Sequence, residues 1–169
     1  PRRLLSSPEL LDHIANRLAY VVRDQCSSRA VVGLATSGIA WAALAAARAN
    51  IPMLYVRKQP EPDVSNDMIE GIPPADRRVV LVDDLLFTGQ SKRAALRVLR
   101  EHGFVVTDIV VIIDRQLQRK SDGPSLQEEF GLELHALIRM TEIVDYMIER
   151  GAITPAQLDD LVADYRACE

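Results

Sequence analysis

The chain is poor in aromatics, has two cysteines and three histidines, and carries no excess of positive charge; each shortage removes a class of function. Aromatic residues make up 5% of its 169 residues while 48% are hydrophobic, so the core must be built from Leu, Val, Ile and Ala. That much apolar side chain over that length suits one ordinary domain, residues 1–169. Lys and Arg number 20 against 24 Asp and Glu, a net charge of −4, and no basic run is interleaved with aromatics, which argues against a nucleic-acid surface. Cys26 and Cys168 lie far apart and form no CxxC, so neither a disulfide scaffold nor a zinc knuckle is indicated, and a reducing compartment is the simpler reading. His13, His102 and His135 show no metal-ligand spacing, and no protein metal site is expected. The longest apolar stretch, near Gly38 to Ala47, is too short to span a bilayer, and no signal-peptide layout is present. A cytoplasmic protein with small-molecule ligands and no membrane partner is the expectation.

What the sequence does contain is an alternation of strands and helices. The run "SSPELLDHIANRLAYVV" opens with a Ser6–Glu9 capping box and spaces Leu11, Ile14, Leu18 and Val21 as one apolar helix face. "AVVGLA" then reads as a buried strand, ending in Thr36-Ser37-Gly38 before the helix-forming "IAWAALAAARAN". "MLYV" is a second buried strand, and the proline-rich, charged segment from Arg57 to Asp76 reads as a long exposed loop. "RVVLVDD", a turn, and "SKRAALRVLREHG" repeat the strand–turn–helix unit, with Gly103 placed to end the helix. "DIVVIID" and "ELHALI" are further strands, a loop from Arg115 to Pro124 and a short helix lying between them. "EIVDYMIERG" is a further segment towards the end of the chain, and "TPAQLDDLVADYR" offers Thr154 and Gln157 as a capping box. Strands without inside/outside alternation, separated by helices, predict an α/β fold: an open, mostly parallel sheet with helices on both faces.

Ligands of such sheets sit beyond the carboxyl ends of the strands. Three turns there are chemically loaded: Ala35 to Gly38, the loop from Arg57, and Asp83 to Ser91. In "VVLVDDLLFTGQS" (Val79 to Ser91), the backbone N–H groups of Thr88, Gly89, Gln90 and Ser91 would form an anion cradle at a helix N-terminus. Asp83 and Asp84 stand just before it, placed to accept hydrogen bonds from two vicinal hydroxyls of a sugar phosphate. Neither GxxxxGK[ST] nor GxGxxG is present, which sets aside the common nucleotide loops. A strand end of this kind also serves elsewhere as a plain N-cap and turn.

The stretch resembles the phosphoribosyl pyrophosphate (PRPP) signature of type I phosphoribosyltransferases. "GLATSGIAWAALAA", "PMLYVRK", "IEG", "VIIDRQ" and "LELHALIRMTEIVDYM" are similar, in order and spacing, to stretches of orotate phosphoribosyltransferases in particular. The resemblance implies transfer of ribose 5-phosphate from PRPP to a nucleobase, most simply orotate, with release of pyrophosphate in pyrimidine biosynthesis. It makes Asp83 and Asp84 the catalytic acids that hold the ribose hydroxyls, and Thr88, Gly89, Gln90 and Ser91 the 5-phosphate turn. Thr36, Ser37 and Gly38 become a pyrophosphate loop, Arg57 and Lys58 its basic partners, and Arg115 a contact for the base carboxylate. It further implies Mg²⁺ held mainly through PRPP, and a homodimer with shared sites.

The sequence departs from the family pattern in three places. Where a lid lysine and histidine are usual, "QPEPDVSNDMIEG" has Glu61 and Asp63, two acids beside an anionic leaving group. Phe87 replaces a hydroxyl residue near the base, able to stack on a nucleobase or to fill core. The sequence starts at Pro1-Arg2-Arg3, and the resemblance implies an upstream base-reading segment before that point. These departures keep open a PRPP-binding regulator, a catalytically impaired paralogue, or transfer to another base.

Overall fold

Nine consecutive residues from Arg78 to Leu86 form the central strand of a six-stranded sheet, and the chain winds outward from it in both directions. A computed structural model describes residues 2–59, 68–116, 123–154 and 157–158. The strands are β1 (Ala30–Leu34), β2 (Met53–Val56), β3 (Ile69–Glu70), β4 (Arg78–Leu86), β5 (Val105–Asp114) and β6 (Glu133–Arg139). Their order is β3-β2-β1-β4-β5-β6, and every pairing is parallel except that of β2 with β3. The helices are α1 (Pro8–Asp24), α2 (Ser37–Ala49), α3 (Gln90–Glu101), α4 (Leu126–Phe130) and α5 (Met140–Glu149).

Two apolar layers cover the sheet, as the unbroken apolar strands require. On one face Leu18 and Val22 of α1 and Trp41 and Ala45 of α2 pack on Val31, Val80, Val82 and Val110. On the other Leu96 and Leu99 of α3 and Leu126 and Phe130 at α4 pack on Val32, Leu81, Ile109 and Val111. Gly33 makes the α2 contact close: a Cβ there would lie 2.9 Å from that of Ala42.

Several boundaries differ from the sequence reading. The Ser6–Glu9 capping box does not form: Ser6 closes a 3₁₀ turn (Arg2–Ser6), and the helix starts at Pro8 behind Ser7, whose side chain makes no cap bond. Proline at the first helical position presets φ and needs no donor partner, so it fixes the start. The exposed loop from Arg57 contains β3, an antiparallel edge strand on Tyr55 and Val56. The central strand runs past Asp84 to Leu86 because β5 offers partners that far, pairing Leu85 with Ile113 and Leu86 with Asp114. The Thr154 cap does form: the Gln157 N–H donates to the Thr154 hydroxyl oxygen at 3.3 Å and the Thr154 N–H to Gln157 Oε1 at 2.9 Å. Pro155 lies outside the described residues. Among the described residues no helix is long and apolar enough to cross a membrane.

The absence of metal-ligand spacing in the sequence is not an absence in space. Cys26, Asp108 and His135 meet at the edge of the sheet where β5 and β6 begin, their ligand atoms within 4.8 Å of one another.

Candidate active site

The strand order places a topological switch point between β1 and β4. From β1 the chain turns through α2 towards β2, whereas from β4 it turns through α3 towards β5, on the opposite face. The two helices diverge beyond the strand ends and leave a crevice there. A cavity of about 690 Å³ occupies it, lined by Leu34 to Ser37 after β1, Lys58 after β2, and Asp83 to Leu85, Phe87, Ser91 and Lys92 along β4 and into α3.

The two aspartates lie inside the strand, so they point to opposite faces. Leu81, two residues before Asp83 on the same face of β4, belongs to the α3 layer, and Val82, two before Asp84, to the α1–α2 layer. Both acids are buried, at 4% and 7% exposure, but they are held differently. Asp83 Oδ2 is ion-paired with Lys92 Nζ, and Asp83 Oδ1 accepts the Asp84 N–H at 2.9 Å. Lys92, itself 5% exposed, also donates to the Leu85 carbonyl at 2.5 Å. Burial pushes the Asp83 carboxyl above its ordinary value, and the Lys92 charge acts in the opposite sense. The Asp84 carboxylate makes no hydrogen bond or ion pair with any described residue. Asp83 is therefore pinned, whereas Asp84 lines the cavity without a side-chain partner among the described residues.

Lys92 escaped the sequence reading although a signal was present. It falls at i, i+3, i+4, i+7 with Ala95, Leu96 and Leu99, so a lysine stands on the buried stripe of α3. A charge on that stripe needs a buried counter-charge, and Asp83 supplies it.

Gly89, at φ 80°, caps α3 in the left-handed region that favours glycine. Arg93 braces this turn: its guanidinium donates to the Thr88 carbonyl at 3.0 Å, to the Pro124 carbonyl at 2.7 Å, and to Glu129 of α4 at 2.7 Å. Ser91 lines the cavity, while Thr88, Gly89 and Gln90 form the turn that leads to it. The first N–H groups of α3 have no partner within the helix, which suits an anion.

Thr36 and Ser37 line the opposite wall. Gly38 is buried behind them, and a Cβ there would lie 2.8 Å from Asp83 Oδ1 and 3.0 Å from the Val82 carbonyl oxygen. The missing side chain thus lets the first turn of α2 rest on β4. Lys58 reaches the cavity; Arg57 does not line it, and instead pairs with Glu70 of β3 at 2.5 Å. Phe87 and Arg115 come together: the guanidinium lies 4.3 Å from the ring centroid, and the Arg115 N–H donates to the Leu86 carbonyl at 3.0 Å. Glu61 and Asp63 lie outside the described residues.

A switch-point crevice lined by a helix-leading turn, two aspartates and Lys58 is the arrangement of an α/β protein that takes a small ligand beyond its strand ends. Comparison with known proteins narrows this class. Residues 2–128 match the model of the phosphoribosyl transferase domain. The chain is 34% identical over 161 residues to an orotate phosphoribosyltransferase of Levilactobacillus brevis, and 36% over 157 residues to one of Cutibacterium acnes. It covers 75% and 71% of those proteins, with 95% and 92% of its own length aligned. The crystal structure of orotate phosphoribosyltransferase from Aeropyrum pernix superposes with a TM-score of 0.72 at 32% identity, over 90% of this chain and 82% of that one. The chain belongs to the phosphoribosyltransferase family.

Proposed function

We propose that the protein transfers the 5-phosphoribosyl group of PRPP to orotate, giving orotidine 5'-monophosphate and pyrophosphate in pyrimidine biosynthesis. The observation that supports this is the switch-point cavity of about 690 Å³, whose lining brings Asp84 together with Thr36, Ser37, Ser91 and Lys58. Similarity to orotate phosphoribosyltransferases supports orotate as the base. The bond between the anomeric carbon and pyrophosphate breaks, the electron pair leaving with the pyrophosphate; a ring nitrogen of the base bonds that carbon and gives up its proton.

Each residue has a stated part in this reading. Asp84 accepts hydrogen bonds from the ribose hydroxyls, Lys92 holds Asp83 beside it, and the Thr88–Ser91 turn takes the 5-phosphate. Thr36, Ser37 and Lys58 take the pyrophosphate, and Gly38 keeps that loop against β4. Arg57 is paired with Glu70 within the chain, and in a homodimer with shared sites its part would be to meet the pyrophosphate of a neighbouring subunit. Phe87 presents a ring to the base, and Arg115, stacked on it, a fork to the orotate carboxylate. With the groups so fixed, positioning and charge complementarity do the catalysis, and no covalent nucleophile is required.

Among the described residues the carboxylates lining the cavity are Asp83 and Asp84, one of them committed to Lys92. This donor set fits Mg²⁺ carried by the oxygens of PRPP and water, with Asp84 nearby. Mg²⁺ bound in this way neutralises charge on the leaving pyrophosphate. A biosynthetic role of this kind suits a cytoplasmic setting.

The test is pyrophosphate release with PRPP, Mg²⁺ and a panel of bases including orotate, beside a calorimetric titration of PRPP alone. Release with orotate is expected. PRPP binding without release on any base would overturn the reading in favour of a PRPP-binding regulator, the alternative that Glu61 and Asp63 favour.

A further inference from the structure

At the end of the sheet opposite the PRPP crevice, three elements bring together side chains that no part of the transfer reaction uses. Asp108 stands early in β5 and His135 early in β6, with Asp108 in register with Glu133 and Val110 with His135. Val110 belongs to the layer under α1 and α2, so Asp108, Glu133 and His135 share that face by strand alternation. Cys26, just past the end of α1, is packed against the same layer. His135 Nε2 lies 2.9 Å from Asp108 Oδ1 and 3.9 Å from Glu133 Oε2.

We propose that Cys26, Asp108 and His135 bind one divalent transition-metal ion of the Zn²⁺ type, with the carboxylate of Glu133 as fourth ligand. A thiolate, an imidazole and carboxylates are the donors such an ion selects. Tetrahedral Zn²⁺ needs donor atoms about 3.3–3.7 Å apart. The three here already fall within 4.8 Å of one another, so closing on an ion takes side-chain rotations rather than movement of the sheet. Glu133 is the adjustable member, its side chain 79% exposed.

Two surrounding features suit the site. The Thr107 hydroxyl donates to Asp108 Oδ2 at 2.6 Å, which orients the carboxylate and leaves Oδ1 towards His135. Asp108 and Glu133 also line a cavity of about 570 Å³ with Gln25 and Ser27, which provides an entry path from solvent. Without metal the thiol is inert: burial first, and then the negative charge of Asp108, push it up to about 12. Binding the ion releases the thiol proton to solvent and displaces the proton that His135 Nε2 donates to Asp108, leaving the neutral imidazole protonated on Nδ1 and the Nε2 lone pair free for the ion. The ion would tie the end of α1 to β5 and β6, far from the reacting atoms.

The test uses Co²⁺ as a spectroscopic probe on the full chain. One Co²⁺ per chain is expected, with a thiolate-to-metal absorption band and the visible bands of a tetrahedral ion, all displaced by Zn²⁺. Cys26→Ser should abolish the thiolate band, His135→Gln should weaken binding at least tenfold, and Thr107→Val should weaken it about 10–100-fold. PRPP affinity of Cys26→Ser should equal that of the parent chain. No thiolate band in the parent chain overturns the proposal, and so does an undiminished band in Cys26→Ser. If Cys26→Ser fails to fold, Cys168→Ser decides: a retained band supports the site, and a lost band overturns it.

Discussion

Replacing Lys92 by methionine keeps the unbranched stem on the buried stripe of α3 and removes the charge that faces Asp83. Both side chains are about 95% buried, so the variant leaves a carboxylate without its partner in the interior. Breaking a buried pair in this way costs about 3–5 kcal/mol. For a domain of this length each kcal/mol moves the melting temperature by about 2–4 °C, so a fall of about 6–20 °C is expected. The loss should depend on pH with a definite sign. Burial already holds the Asp83 carboxyl above its ordinary value of 3.8, and removing the Lys92 charge raises it further. The native state then binds a proton that the unfolded chain does not, so the variant loses stability as pH rises through the folded value and recovers part of it on acidification. Urea unfolding at several pH values reads this directly, and the Asp83→Asn background completes a double-mutant cycle. In that background Lys92→Met should cost at least 2 kcal/mol less, about the size expected of a coupled pair. A cost under about 1 kcal/mol, or an equal cost in both backgrounds, would refute the ion pair as the element that pins Asp83.

Asp84→Asn should weaken PRPP binding about ten- to hundredfold by calorimetry, the worth of a charge-assisted hydrogen bond, with little change in unfolding; unchanged affinity would remove Asp84 from the ribose site. Arg115→Lys should raise the KM for orotate about tenfold while leaving PRPP affinity intact, because lysine lacks the planar fork and the stack on Phe87; equal effects on both substrates would contradict a base-specific role. Gly38→Ala should cost about 1–3 kcal/mol in thermal unfolding, since its Cβ meets Asp83 and the Val82 carbonyl, and a neutral substitution would show that the α2 turn has room to move. The hydrogen bonds from Arg93 and Arg97 hold the Glu129 carboxyl below its ordinary value of 4.5, so its contribution is present above that pH and is lost as pH falls through the lowered folded value. The stability difference between the parent chain and Glu129→Gln should shrink accordingly, and a difference that is flat with pH would count against the brace.

The sequence by itself determined the layers of this protein and the position of its main turn. Unbroken apolar strands alternating with helices dictate a mostly parallel sheet covered on both faces, and the order of acids, hydroxyls and glycine in Val79–Ser91 points to the strand–turn–helix proposed here to hold a sugar phosphate, because both are written in consecutive residues. Tertiary structure decided what depends on pairing between distant segments. The extension of β4 to Leu86 needed β5 alongside it, and that extension separated Asp83 from Asp84 onto opposite faces. The commitment of Asp83 to Lys92 followed from the rotation of α3 on the sheet, although a lysine on an apolar stripe was a readable warning. Arg57 was diverted to Glu70 by a two-residue edge strand too short for any periodicity to register. Cys26, Asp108 and His135 have no spacing that announces a ligand set; they meet only because parallel strands in register and the end of α1 converge at one edge of the sheet.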